Sequence, residues 1–132
     1  MIKTKLFKQA SLLLVVIAIL DVVATIFYLH WTVWWFDTIL HFLGGAWSGI
    51  TVILIWHHYH NKSSNQLKMV FIGVSGALII GLLWEIYELL LGATSFSDGI
   101  AYLADTASDI IMDICGSFFG ALYSIKIIRN HS

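Results

Sequence analysis

The sequence predicts an all-α integral membrane protein of four transmembrane helices in a compact bundle, with both termini cytoplasmic. Three observations carry this. The 132 residues are 59% hydrophobic and only 11% charged, with no proline and a mean hydropathy of +0.86, whereas a soluble domain carries about 25% charged residues. Four apolar runs reach bilayer length, at about 9–29, 38–58, 67–91 and 107–127. The charges also segregate: all seven Lys and Arg residues fall on one side of this layout and nearly all the acids on the other. A single domain, residues 1–132, is expected.

Span one follows Lys3, Lys5 and Lys8 and resembles the core of a signal peptide, but its apolar stretch continues past Asp21 to Tyr28 with no small-x-small cleavage site. It reads as an uncleaved first helix. The linker Trp31 to Asp37 holds Trp31, Trp34 and Trp35 close to Tyr28, an aromatic set suited to a membrane–water interface. Span two ends in His57-His58-Tyr59-His60, which reads as an interfacial cap in preference to a metal site because it is remote from the acids. Lys62 and Lys68 flank the next connection, and Lys126 and Arg129 close span four. The positive-inside rule makes this side cytoplasmic. The lone Cys115 excludes an internal disulfide and reads as a small core residue.

One stripe recurs in three spans. Span two carries Asp37, His41, Gly45 and Gly49; span three carries Gly73, Ala77, Gly81 and Glu85; span four carries Asp105, Asp109, Asp113, Ser117 or Gly116, and Gly120. Residues four apart share a helix face, and small residues at that spacing let membrane helices approach closely. Each stripe is small toward the cytoplasmic half and polar toward the other, so the expected bundle is pinched at its inner end and opens outward on an acidic cavity. Glu88 joins Glu85 on the same face. A carboxylate within an apolar span costs roughly 2.5–3.5 kcal/mol at the helix centre, which demands a partner or a use. Asp21, near the middle of span one, either joins the cavity floor or pairs with a hydroxyl.

Asp37, Glu85, Glu88, Asp105, Asp109 and Asp113 place six carboxylates around one imidazole, His41. They cannot all stay ionised in a low-dielectric cleft: either several carry protons or a cation sits among them. Oxygen ligands with one imidazole suit Mg²⁺, Mn²⁺ or Ca²⁺, with Zn²⁺ also compatible, and Glu85, Glu88, Asp109, Asp113 and His41 are the candidate ligands. His41, Glu85, Asp109 and Asp113 are the candidate catalytic residues. In this reading His41 acts as base or nucleophile, oriented by Asp37 or Asp109. Asp37, Glu88 and Asp105 are candidates for binding substrate or cation, while capping of helix starts is the alternative use of Asp37 and Asp105. Asp98 reads as solvated.

Asp37-Thr-Ile-Leu-His41 with Phe42, Glu85-Ile-Tyr-Glu88, and Asp109-Ile-Ile-Met-Asp113-Ile-Cys-Gly116 together resemble the VanZ-like family of small multi-pass bacterial membrane proteins. That family's pattern is Asp-Lys-x-x-His, then Glu-x-x-Gln, then Asp-x-x-x-Asn-x-x-Gly. Thr38, Glu88 and Asp113 depart from it and resemble an acidic-site branch. The resemblance implies a bacterial inner-membrane protein that processes lipid head groups or cell-envelope precursors, with a membrane lipid or lipid-linked molecule as substrate. The competing classes are a small cation- or proton-coupled channel or carrier and a non-catalytic membrane module. Association into a homo-oligomer would add polar lining to a path through so few spans. Nucleic-acid binding has no support, since the basic residues are scattered along a membrane surface.

Overall fold

The computed structural model describes residues 2–60, 65–92 and 94–130. It is all-helical among them: α1 (Ile2–Ile26), α2 (Leu29–Thr32), α3 (Trp34–His60), α4 (Gln66–Leu91), a 3-10 turn at Phe96–Asp98, and α5 (Ile100–Arg129). The four long helices are each long and apolar enough to cross a membrane. Lys62 lies outside the described residues.

The helix limits differ from the expected spans chiefly at both ends of α1, at the start of α3, which begins at Trp34 and not at 38, and at the start of α5. Helix α1 begins at Ile2, seven residues before the apolar run, because lysine stems extend a helix while their ammonium groups reach for water. It ends at Ile26, and Tyr28 turns the chain in the left-handed region at φ 57°; a non-glycine residue held there costs about 1–2 kcal/mol. Helix α5 starts at Ile100, not at 107, directly after the positive-φ Gly99. Ile100 to Ala104 are mostly apolar but are cut off from the span by Asp105 and Thr106, so a search for one continuous apolar run misses them. Asp37 and Asp105 therefore lie inside their helices, and neither is an N-cap.

Helices α3 and α5 form the centre, with α4 packed on both and α1 on α3. Glycine permits the close crossing. A β-carbon at Gly45 would run into the backbone carbonyl of Asp113, one at Gly116 into that of Phe42, and one at Gly120 into that of Ala46. The basic end is filled by Leu6, Ala10, Ile50, Ile53, Met69, Ala121 and Ile125. Buried Ser48 and Ser124 satisfy their hydroxyls on the carbonyls of Gly44 and Gly120 in their own helices, at 2.8 and 2.9 Å.

One sequence expectation is corrected: Cys115 is exposed on α5, not in the core. The α3–α5 backbone contacts run from Gly120 toward the middle of α5 and end at Asp113, as the small-residue stripes led one to expect. Helices α1 and α4 make no Cα approach within 8 Å among the described residues. At the basic end, the His60 ring stacks on Trp56 with centroids 3.7 Å apart, and Lys68 reaches over the same indole, a capping arrangement.

Candidate active site

Three helices bring their polar ends to one point. Asp37 and His41 are one turn apart on α3; Glu85 and Glu88 share a face of α4; Asp105, Asp109 and Asp113 follow one another by turns along α5. His41, Glu85, Glu88, Asp109 and Asp113 are all buried, each less than one-tenth exposed. The glycines position as well as pack. The Gly45–Asp113 and Gly116–Phe42 contacts hold the α3 and α5 backbones together beside His41, and the Asp113 carboxylate occupies the space above Gly81 of α4.

His41 is the hub. Its Nδ1 lies 3.3 Å from Asp113 Oδ2, a hydrogen bond. Its Nε2 faces Asp109 Oδ2 at 3.8 Å, Asp37 Oδ2 at 3.9 Å and Glu85 Oε1 at 4.0 Å. These separations are too long for direct hydrogen bonds. The residue orienting the ring is thus Asp113, where the sequence suggested Asp37 or Asp109. Trp84 stands edge-on to the imidazole, with centroids 6.5 Å apart.

Three residues with no role evident from the sequence complete the surroundings. Thr106 Oγ1 donates to Glu85 Oε2 at 2.8 Å, and the indole N–H of Trp84 donates to Glu88 Oε1 at 3.1 Å. His30 bridges two helices, with Nδ1 3.2 Å from Asp37 Oδ1 and Nε2 3.3 Å from Asp21 Oδ1. This resolves Asp21: its partner is an imidazole returned to α1 by the turn at Tyr28. Thr106 lies one turn before Asp109, so face periodicity was a usable signal for it. The contact of His30 depends on a loop turn and gave no signal.

The candidate ligand atoms gather within 4.8 Å of one another in three sets: His41, Glu85 and Asp109; Asp37, His41 and Glu88; and Asp37, Asp105 and Asp109. Asp113 is in none of them, since it occupies the other nitrogen of His41. Asp105 is exposed, yet reaches the cluster from the rim. Every ion pair of these acids among the described residues is with a histidine; no lysine or arginine approaches them.

Two cavities meet here. A polar one at the acidic end is lined by His30, Trp31, Trp34, Asp37, Glu88 and Asp105, among others. An apolar cleft runs between Leu14 and Ile17 of α1, Leu40 and Trp47 of α3, and Ile80 of α4, and reaches His41 and Asp113. Asp21 and Trp84 border both. The cleft occupies the gap that separates α1 from α4.

Fold and site together define a multi-pass membrane protein with a buried acidic cluster around a single imidazole. The chain belongs to the family described as predicted membrane protein (DUF2238), whose model matches residues 2–130. No curated protein and no solved structure matches it.

Proposed function

We propose that this protein is a membrane-embedded enzyme acting on the head group of a lipid or lipid-linked cell-envelope precursor, by hydrolysis or head-group transfer. The supporting observation is the meeting of an apolar cleft with a polar cavity beside His41. An amphipathic molecule needs both surroundings at once: a dry slot for its chain and polar groups for its head. A cleft between two helices whose Cα atoms stay more than 8 Å apart gives such a molecule a sideways entrance from the bilayer.

In this reading His41, Glu85, Asp109 and Asp113 form the catalytic cluster. Asp37, Glu88 and Asp105 line the polar cavity and bind the head group. Asp37 and Glu88 stand between that cavity and the buried cluster, and so are best placed to exchange a proton with a bound head group. The acidic cavity faces away from the cytosol and both termini face it, because the basic residues gather at the opposite end of the bundle. The location is the inner (plasma) membrane of a bacterium. The three motifs resemble those of VanZ-like proteins, and we extend the head-group role to this chain on the strength of the cavity pair.

A channel or carrier using the same acids is the alternative class. The packing of Leu6, Ile50, Ile53, Met69 and Ile125 across the basic end speaks against it, since these side chains are apolar and the buried hydroxyls of Ser117 and Ser124 beside them are already bonded to carbonyls of their own helix. Lipid mass spectrometry of cells overexpressing the wild type or Glu85→Gln tests the proposal. Head groups altered by the wild type alone support it. Identical lipids in both, with ion flux into liposomes carrying the purified protein, overturn it in favour of transport.

A further inference from the structure

Three atoms at the centre of the cluster share an unusual condition. His41 Nε2, Glu85 Oε1 and Asp109 Oδ2 are all buried, and none has a hydrogen-bond partner among the described residues. All three belong to side chains less than one-tenth exposed, and they face one another, with Nε2 3.8 Å from the Asp109 oxygen and 4.0 Å from the Glu85 oxygen. Buried polar atoms left unpaired are rare, and each calls for an explanation. Here they converge on a single point.

We infer that His41 Nε2, Glu85 Oε1 and Asp109 Oδ2 ligate one divalent cation, whose remaining positions open toward the polar cavity. Triangle geometry supports this. With two sides of 3.8 and 4.0 Å and the third no more than 4.8 Å, a point equidistant from all three atoms lies about 2.0–2.5 Å from each, the range of bonds from divalent cations to nitrogen and oxygen. The outer surroundings fit as well. The Nδ1–H of His41 donates to Asp113 and Thr106 donates to the other oxygen of Glu85, which fixes the imidazole tautomer and aims one lone pair of each group inward. The ion supplies the positive charge that no lysine or arginine brings.

Donor chemistry narrows the ion. Ca²⁺ and Mg²⁺ favour oxygen alone, whereas one imidazole with two carboxylates suits a borderline first-row ion, Mn²⁺ or Zn²⁺. The role of His41 is then that of a ligand, and the proton exchange falls to Asp37 or Glu88. This inference rests on the reading of the cluster as a working site, but its test measures metal and not turnover.

The test is Mn²⁺ uptake by the full-length protein, purified in detergent and stripped with chelator, followed as loss of the free-ion electron paramagnetic resonance signal. One Mn²⁺ per chain is expected. His41→Ala and Glu85→Gln should each weaken uptake at least tenfold, Asp113→Ala about ten- to a hundredfold through the lost second-nitrogen contact, and Asp98→Asn not at all. No uptake, or uptake indifferent to His41→Ala and Glu85→Gln, overturns the proposal. If those variants do not fold, pulsed resonance on the Mn²⁺-loaded wild type decides: modulation from a directly bound imidazole ¹⁴N supports the site, and its absence overturns it. Bound Mn²⁺ with unaltered cellular lipids would retire the head-group reaction and leave the cation. Altered lipids without Mn²⁺ would do the reverse.

Discussion

The carboxylate of Asp113 on α5 occupies the place that a β-carbon would take at Gly81 on α4. Absence of a side chain on one helix therefore fixes the position of an acid on another, and through that acid's hydrogen bond to Nδ1 it fixes the ring of His41.

Gly81→Ala should push Asp113 off His41. Because the displaced group is the end of a side chain and not backbone, the fold survives at a cost of about 1–3 kcal/mol. Thermal unfolding in detergent should show a modest drop beside a large loss of head-group activity. Full activity in Gly81→Ala would mean that Asp113 does not position the imidazole.

The adjacent glycines Gly44 and Gly45 make a sharper comparison. A β-carbon at Gly45 meets the backbone of Asp113, while nothing lies within 4 Å of one at Gly44. Gly45→Ala forces α3 and α5 apart and should cost at least 3 kcal/mol, roughly the upper end for overpacking. Gly44→Ala should be neutral, or stabilising by about 0.5–1 kcal/mol through helix propensity. Melting temperatures measured side by side in one detergent check the pair: equal values for the two variants would mean that α3 and α5 do not touch at Gly45.

Thr106→Val removes the donor to Glu85 Oε2 and leaves that buried oxygen without its partner. A hydrogen bond to a charged group contributes about 1.5–3 kcal/mol. The valine variant should lose that stability and bind Mn²⁺ less tightly, and Thr106→Ser should restore both. Equal behaviour of the serine and valine variants would show that the hydroxyl does not hold Glu85.

Orientation has its own measurement. In a Cys115→Ser background, a cysteine at exposed Asp98 should react in whole cells with a maleimide that cannot cross membranes. A cysteine at Lys5, at the basic end, should react only after the cells are opened. The opposite pattern would turn the acidic cavity to the cytosol.

Chain order alone determined the helical class, the number of long helices and which residues share a face. Turn-by-turn spacing of Asp37 and His41, of Gly81 and Glu85, and of Asp109 and Asp113 survives any arrangement of the helices, because it is set by the geometry of a single helix. Hydropathy was weaker at helix limits. It did not carry the last helix back from 107 to Ile100, because Asp105 and Thr106 interrupt the apolar run and the five residues before them are too few to read as part of a span.

Only the tertiary structure decided which groups meet and on which atom. No periodicity distinguishes Asp113 from Asp109 as the partner of His41 Nδ1; the backbone contacts at Gly45 and Gly116 set the height of α5 against α3, and that height selects Asp113. The bridge from Asp21 through His30 to Asp37 likewise follows from the left-handed turn at Tyr28. The opening between α1 and α4 is also a property of packing: it is a close approach that two apolar helices do not make, and a hydrophobic face looks the same in sequence whether it meets another helix or a lipid chain.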